Sequence, residues 1–109
     1  MNVSGEHTRV VVSTAPDQRT AEELAGALVE AELAACVNLL PGALSIYVWE
    51  DTTHVDAEIL MLIKTTAGRA ADVVALIEAE HPYECPEAIV LDIAGGSQAY
   101  LEWIVSTVR

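Results

Sequence analysis

Residues 43–64 constrain the fold of this chain more than any other stretch. From Ala43 onward, Leu44, Ile46 and Val48 alternate with Ser45, Tyr47 and Trp49. A period of two is that of a β-strand, and it places the aliphatic side chains on one face and the aromatic ones on the other. After a turn expected at about 50–54, a further strand starts near Val55. In it Val55, Ala57, Ile59, Met61 and Ile63 face one way, and Asp56, Glu58, Leu60, Leu62 and Lys64 face the other. Each strand is about ten residues long, against a usual five or six. A solvated sheet face stays polar, so Leu60 and Leu62 require cover. A long hairpin, apolar on both sides and projecting past its own body, is expected to pair between subunits.

Size supports the same expectation. The chain has 109 residues, 52% of them hydrophobic, enough for one domain. A domain this small has much surface for its core, and surplus apolar area is usually covered by a partner. Seventeen acidic residues face five basic ones, for a net charge of −12. Arg9, Arg19, Lys64, Arg69 and Arg109 are scattered along the chain. A phosphate backbone or an anionic bilayer surface needs clustered cations, so neither nucleic acid nor a membrane is an expected partner. The acidity fits cation binding and, equally, plain solubility.

Residues 1–7 are polar, without an apolar targeting core, and read as a flexible tail ahead of a single domain over 8–109. The longest apolar run of the third strand, Ile59–Ile63, is far short of the ~18 residues that span a bilayer. Cys36 and Cys85 make no disulfide framework. Two thiols in a reducing, cytoplasmic setting are the expectation.

The other elements follow from periodicity and punctuation. Val10–Val12 is a short β-branched run stopped by Pro16, and Asp17 is suited to cap a helix over about 17–33. Its stripe is Ala21, Leu24, Ala25, Leu28 and Val29. A second strand starts near Cys36 and is interrupted at Pro41-Gly42 by a turn or bulge. A second helix spans about 67–81, with Ala70, Val73, Val74 and Ile77 as its stripe, and Pro82 ends it. A fourth strand covers about 88–93. Gly95-Gly96 turns the chain, and Ser97 caps a last helix with Leu101, Ile104, Val105 and Val108 inward. The order strand, helix, strand, strand, helix, strand, plus a terminal helix, is that of an α+β ferredoxin-like β-α-β-β-α-β sandwich. That fold hosts many functions and selects none.

Several segments, in order and at their spacing, resemble the CutA family. They are Thr14-Ala15-Pro16-Asp17, Leu33-Ala34-Ala35-Cys36-Val37-Asn38, Pro41-Gly42, Tyr47-Val48-Trp49, Ile63-Lys64-Thr65-Thr66, His81-Pro82-Tyr83-Glu84, Pro86-Glu87 and Tyr100-Leu101-Glu102-Trp103. The resemblance covers about residues 9 to 108. It implies a ferredoxin-like homotrimer of divalent-ion tolerance that binds metal weakly, with a small-molecule or metal ligand in a cleft between subunits; the alternatives are a small-molecule-sensing trimer similar in architecture to PII-like signalling proteins, or a rigid trimeric scaffold for a protein partner. Copper is the cation it implies, and no organic cofactor.

The chain departs from the family where the ligands matter. Some members carry copper ligands as a Cys before Thr-Ala-Pro-Asp and two successive His before Pro-Tyr. Those positions hold Ser13, Glu80 and His81 here, and a hydroxyl is a poor copper ligand. Asp51 and Thr52 stand where members commonly have Gly and Lys, so a looser or differently turned hairpin tip is expected.

The metal candidates are therefore His81, Glu80 and Glu84, in a stretch that also holds Cys85 and Glu87. His81 equally suits the carboxyl end of its helix. Paired Cys or His spacings of a structural zinc site are absent from the sequence. The ligand-binding candidates are Cys36, Asn38, Trp49, Glu58, Lys64, Tyr83 and Glu87. Cys36 is equally readable as a buried thiol, and Trp49 with Tyr47 as interface packing. Lys64 either pairs with Glu58, pairs with an acid of a neighbouring subunit, or binds an anionic ligand. His54 is expected at the hairpin tip in solvent. The sequence has no nucleophile elbow, phosphate loop or zinc-protease helix, so a non-enzymatic role is expected.

Overall fold

Pro16 and Asp17 separate the first two elements as the sequence predicts. In the computed structural model, which describes residues 5–109, β1 (Thr8–Ala15) runs into α1 (Gln18–Glu30). The Asp17 carboxylate accepts from the Thr20 backbone N–H at 2.7 Å, satisfying one of the orphan donors of the first turn. The chain continues as β2 (Cys36–Trp49), β3 (Thr52–Thr66), α2 (Ala70–Glu80), β4 (Ile89–Asp92) and α3 (Gln98–Thr107). Ser97 caps α3 by accepting from the Tyr100 N–H. The sheet order is β2-β3-β1-β4, antiparallel throughout, which is the split β-α-β arrangement.

One sheet face carries the core. Val11, Ala15, Ile59, Met61 and Ile63 meet Leu24 and Leu28 of α1 and Val73 and Ile77 of α2. Val29, expected on the α1 stripe, is instead 45% exposed. A second cluster joins Leu101, Ile104 and Val108 of α3 to Ala35 and Ile93. Of the tail expected over 1–7, residues 1–4 lie outside the described ones. Gly5–His7 forms a turn of 3-10 helix that fits only glycine at its start: a Cβ on Gly5 would sit 1.9 Å from the Ile93 carbonyl oxygen.

The hairpin is longer than its sequence suggests. β2 and β3 have 14 and 15 residues and pair from Cys36 opposite Lys64 out to Trp49 opposite Thr52. The register slips between Leu40 and Ala43, where Gly42 takes φ 91°, so Pro41-Gly42 is a bulge inside one strand. The tip is not a loose turn over 50–54. Two residues, Glu50 and Asp51, close it, both left-handed at φ 50° and 61°. Two-residue hairpins favour that backbone because it matches strand twist, and here residues other than glycine or asparagine adopt it. The hairpin draws the molecule out to 50 × 26 × 22 Å.

Candidate functional site

The face of the sheet turned away from α1 and α2 carries most of the candidate side chains. The register fixes it: Val12, Leu62 and Asn38 lie in one row, and Val10, Lys64 and Cys36 in the next. Alternation then adds Leu60, Glu58, Asp56 and His54 along β3, with Ser45, Tyr47 and Trp49 along β2. Chemistry is concentrated in two places on this face.

The first lies where the hairpin leaves the body. Glu58 is 7% exposed, and its Oε2 accepts from the Tyr83 hydroxyl at 2.9 Å. Next along the strand, Asp56 accepts from the Tyr47 hydroxyl, while the Tyr47 ring stacks on His54 at 5.3 Å. His54 is therefore a half-buried strand residue and not a solvated tip. Partial burial, and then repulsion from Glu58, push the Glu87 carboxyl above its ordinary value. Burial and the bond to Glu58 push the Tyr83 phenol up as well. Asp56, Glu58 and Glu87 thus gather negative charge that this part of the chain does not balance.

His81 and Ser13 build this place without facing a ligand. His81 is buried, its Nε2 lies 2.7 Å from the Thr14 carbonyl oxygen, and its Nδ1 accepts from the Tyr83 N–H at 3.1 Å. That second bond fixes the tautomer, so Nε2–H donates to Thr14. Neither ring nitrogen has a lone pair left for a metal. The His81 and Tyr83 rings touch, with centroids 4.7 Å apart. Ser13 Oγ donates to the Glu87 carbonyl at 2.7 Å. Together they tie the segment after α2 onto β1 and present Tyr83 to Glu58.

The second place is the opposite end of the same face. Lys64 Nζ donates to Asn38 Oδ1 and lies 4.0 Å from Cys36 Sγ. Tyr100 of α3 comes close to Cys36, and burial followed by that sulfur raises the Tyr100 phenol above its ordinary value.

The structure thus sorts the candidates. Glu58, Tyr83 and Glu87 come together. Cys36, Asn38 and Lys64 come together elsewhere, and Trp49 stands at the far end of the hairpin, 41% exposed. Lys64 does not pair with Glu58 within the chain: six residues of extended strand, roughly 20 Å, separate them. His81, Glu80 and Glu84 do not converge. Glu80 borders a shallow depression with Thr20, Glu23, Leu24 and Ala27 on the helical side, and Glu84 is exposed beside an exposed Cys85. Among the described residues, no three His, Cys, Asp or Glu side chains are grouped to hold a metal ion. The sequence reading missed Asp56 and Tyr100 as site residues. A two-residue turn would have set Asp56 diagonal to Tyr47, but Glu50-Asp51 gives no sign of one. Tyr100 reaches Cys36 only through the docking of α3.

Comparison with known proteins covers nearly the whole chain. Residues 9–107 match the family described as CutA1 divalent ion tolerance protein. A divalent-cation tolerance protein CutA of Pectobacterium atrosepticum is 42% identical over 92% of this chain and 91% of its own length. A CutA crystal structure from Xylella fastidiosa superposes with a TM-score of 0.92 at 39% identity, covering 94% of this chain and 99% of that one. CutA1 from Oryza sativa gives 0.91 at 39% identity over 99% and 96%. A CutA from Archaeoglobus fulgidus, described as periplasmic, gives 0.90 at 34% identity over 94% and 99%.

Proposed function

The chain belongs to the CutA1 divalent ion tolerance family, and from that premise we propose that it acts without catalysis, as a cytoplasmic homotrimer that takes up divalent cations, copper among them, weakly and on carboxylate oxygens between subunits. One observation carries this reading: Asp56, Glu58 and Glu87 gather where the hairpin leaves the body, none of them in an ion pair with a base of the described chain, and Glu87 is held above its ordinary pKa by burial and then by Glu58. Burial is the larger cause and repulsion from Glu58 the smaller, and a neutralising charge beside the carboxylate would relieve both. A divalent cation supplies one.

The donor set also sets the strength. Oxygen ligands suit hard and borderline cations, and soft thiolates or imidazoles are what hold copper tightly. Ser13 replaces the soft donor and His81 has both nitrogens engaged, so copper binding is weak. Copper still exceeds cobalt and zinc by the general order of divalent affinities. Assembly follows from the hairpin, where Leu44, Ile46, Val48 and Val55 are all more than half exposed. The cytoplasmic placement is supported by two unbridged thiols, Cys36 and Cys85.

Titration calorimetry with copper, zinc and cobalt, thiols reduced, tests the cation reading. The expected result is saturable binding, strongest for copper, weakened at least about fivefold by Glu87→Gln. Non-saturable binding that this variant leaves unchanged would overturn it. Light scattering should give three times the 11.6 kDa protomer mass.

A further inference from the structure

Cys36 and Lys64 stand directly opposite each other on neighbouring antiparallel strands. Side chains in that relation leave the sheet on one face with their Cβ atoms about 5 Å apart, so the register itself keeps the two together. Lys64 Nζ lies 4.0 Å from Cys36 Sγ. Both residues are half-buried, sheltered but within reach of a small solute. Tyr100 of α3 approaches the sulfur as well. Cys36 is thus flanked by an amine and a phenol.

What this amine lacks is an acid. Arg9, Arg19, Arg69 and Arg109 each lie in an ion pair. Lys64, the remaining base of the sequence, has neutral partners instead: the Asn38 side-chain oxygen and the Cys36 sulfur. No carboxylate among the described residues lies within ion-pair distance of it. A carboxylate partner holds a lysine in its charged form, and here none does so. The second thiol, Cys85, is placed differently: it is exposed and follows Glu84 in sequence.

We propose that Cys36 and Lys64 form a redox modification site for hydroperoxides: the peroxide oxidises Cys36, and the Lys64 amine then condenses with the product to a sulfenamide, an S–N bond that joins β2 to β3 within one chain. The thiolate is the nucleophile in such chemistry. Its sulfur attacks one peroxide oxygen, and the O–O bond breaks. The departing hydroxide takes a proton from the Lys64 ammonium and leaves as water. Cys36 is then a sulfenic acid, and Lys64 a neutral amine beside it. The nitrogen lone pair attacks sulfur, the S–O bond breaks, and the hydroxide takes a proton from nitrogen to leave as a second water. Thiolate, ammonium and hydrogen peroxide have become one sulfenamide and two waters, with sulfur giving two electrons to the peroxide. Sulfenic acids condense in this way even with a backbone nitrogen, a poorer nucleophile than an amine. Two small thiols reverse the bond, restoring Cys36 and Lys64 and leaving as their disulfide. The modification removes the Lys64 charge and ties the two long strands together where they enter the body.

Mass spectrometry on the full chain tests the site. The Cys85→Ser variant, which leaves Cys36 as its only thiol, is treated with hydrogen peroxide, capped with N-ethylmaleimide, weighed intact and digested with trypsin without reductant. The expected product is lighter than the reduced chain by two hydrogens and takes up no maleimide. It is no longer cleaved after Lys64, and it yields one peptide pair joined through Cys36 and Lys64. Dithiothreitol should restore the mass, the maleimide uptake and the cleavage. Adding Lys64→Arg keeps the positive charge but removes the amine, so the mass loss should disappear and dimedone should trap the sulfenic acid. Circular dichroism confirms that both variants are folded, and the cleavage readout needs no substitution at Lys64. A Cys36 that stays open to maleimide overturns the proposal. So does a Cys36 that is oxidised while Lys64 remains cleavable, and so does a mass loss that persists in the Lys64→Arg chain.

Discussion

His81 shows how far a residue's meaning depends on what it meets. Its neighbours in sequence are carboxylates and a tyrosine, which suggests metal chemistry. Its partners in space are a carbonyl 67 residues away and the Tyr83 N–H, which make it a brace. The type and spacing of a residue were legible in the sequence, whereas a hydrogen bond across 67 residues was not. Glu58 and Lys64 were legible as polar positions on an otherwise apolar face, but their partners Tyr83 and Asn38 depend on register. The Tyr83–Glu58 bond is open to experiment. The Tyr83 phenol is raised above its ordinary value of 10.0, by burial first and then by Glu58. A raised phenol contributes stability that is fully present below pH 10 and is lost as pH climbs through its folded-state value. Tyr83→Phe should therefore lack that part of the alkaline destabilisation. Near neutral pH it should cost about 1–2 kcal/mol, because a buried carboxylate loses a donor. Urea unfolding on either side of pH 10 checks both. A variant as stable as wild type at neutral pH would show that the bond contributes nothing.

At the scale of elements, periodicity was a good guide. The alternation over 43–64 located both strands, and the stripes of α1, α2 and α3 were found to within a few residues, because burial on one side is written at fixed spacing. Punctuation was weaker where the chain breaks its own rules. Pro41-Gly42 was readable as a turn or bulge, and the register shows the bulge. The hairpin's own turn was not readable, because Glu50 and Asp51 hold backbone angles that usually select asparagine and glycine. The left-handed region is costly for a side chain with a Cβ. Replacing both, Glu50→Asn with Asp51→Gly, should stabilise the protein by about 1 kcal/mol, measured as a shift in denaturant midpoint at unchanged slope. An unchanged midpoint would mean that contacts across the tip already offset the strain.

For the whole molecule, the excess of apolar residues was the most informative quantity in the sequence, and the exposed hairpin is where it ended up. Ile46 and Val48 are each 68% exposed, and covering such side chains is worth about 1 kcal/mol or more apiece. Thermal unfolding should consequently shift upward with protein concentration, as it does when subunits fold and bind together. Leu62→Glu should give a dissociated chain, since assembly would bury a charge with no partner. A stable L62E assembly, with a melting point independent of concentration, would place the interface on another face. The sheet order has one more consequence. With β2 and β4 outermost, a newly synthesised copy meets the cell with both borders of its sheet unprotected and greasy side chains at large. Such borders recruit any extended strand they encounter. Should the chain assemble as proposed, its production is a race in which sister copies must find one another before off-pathway clumping claims them.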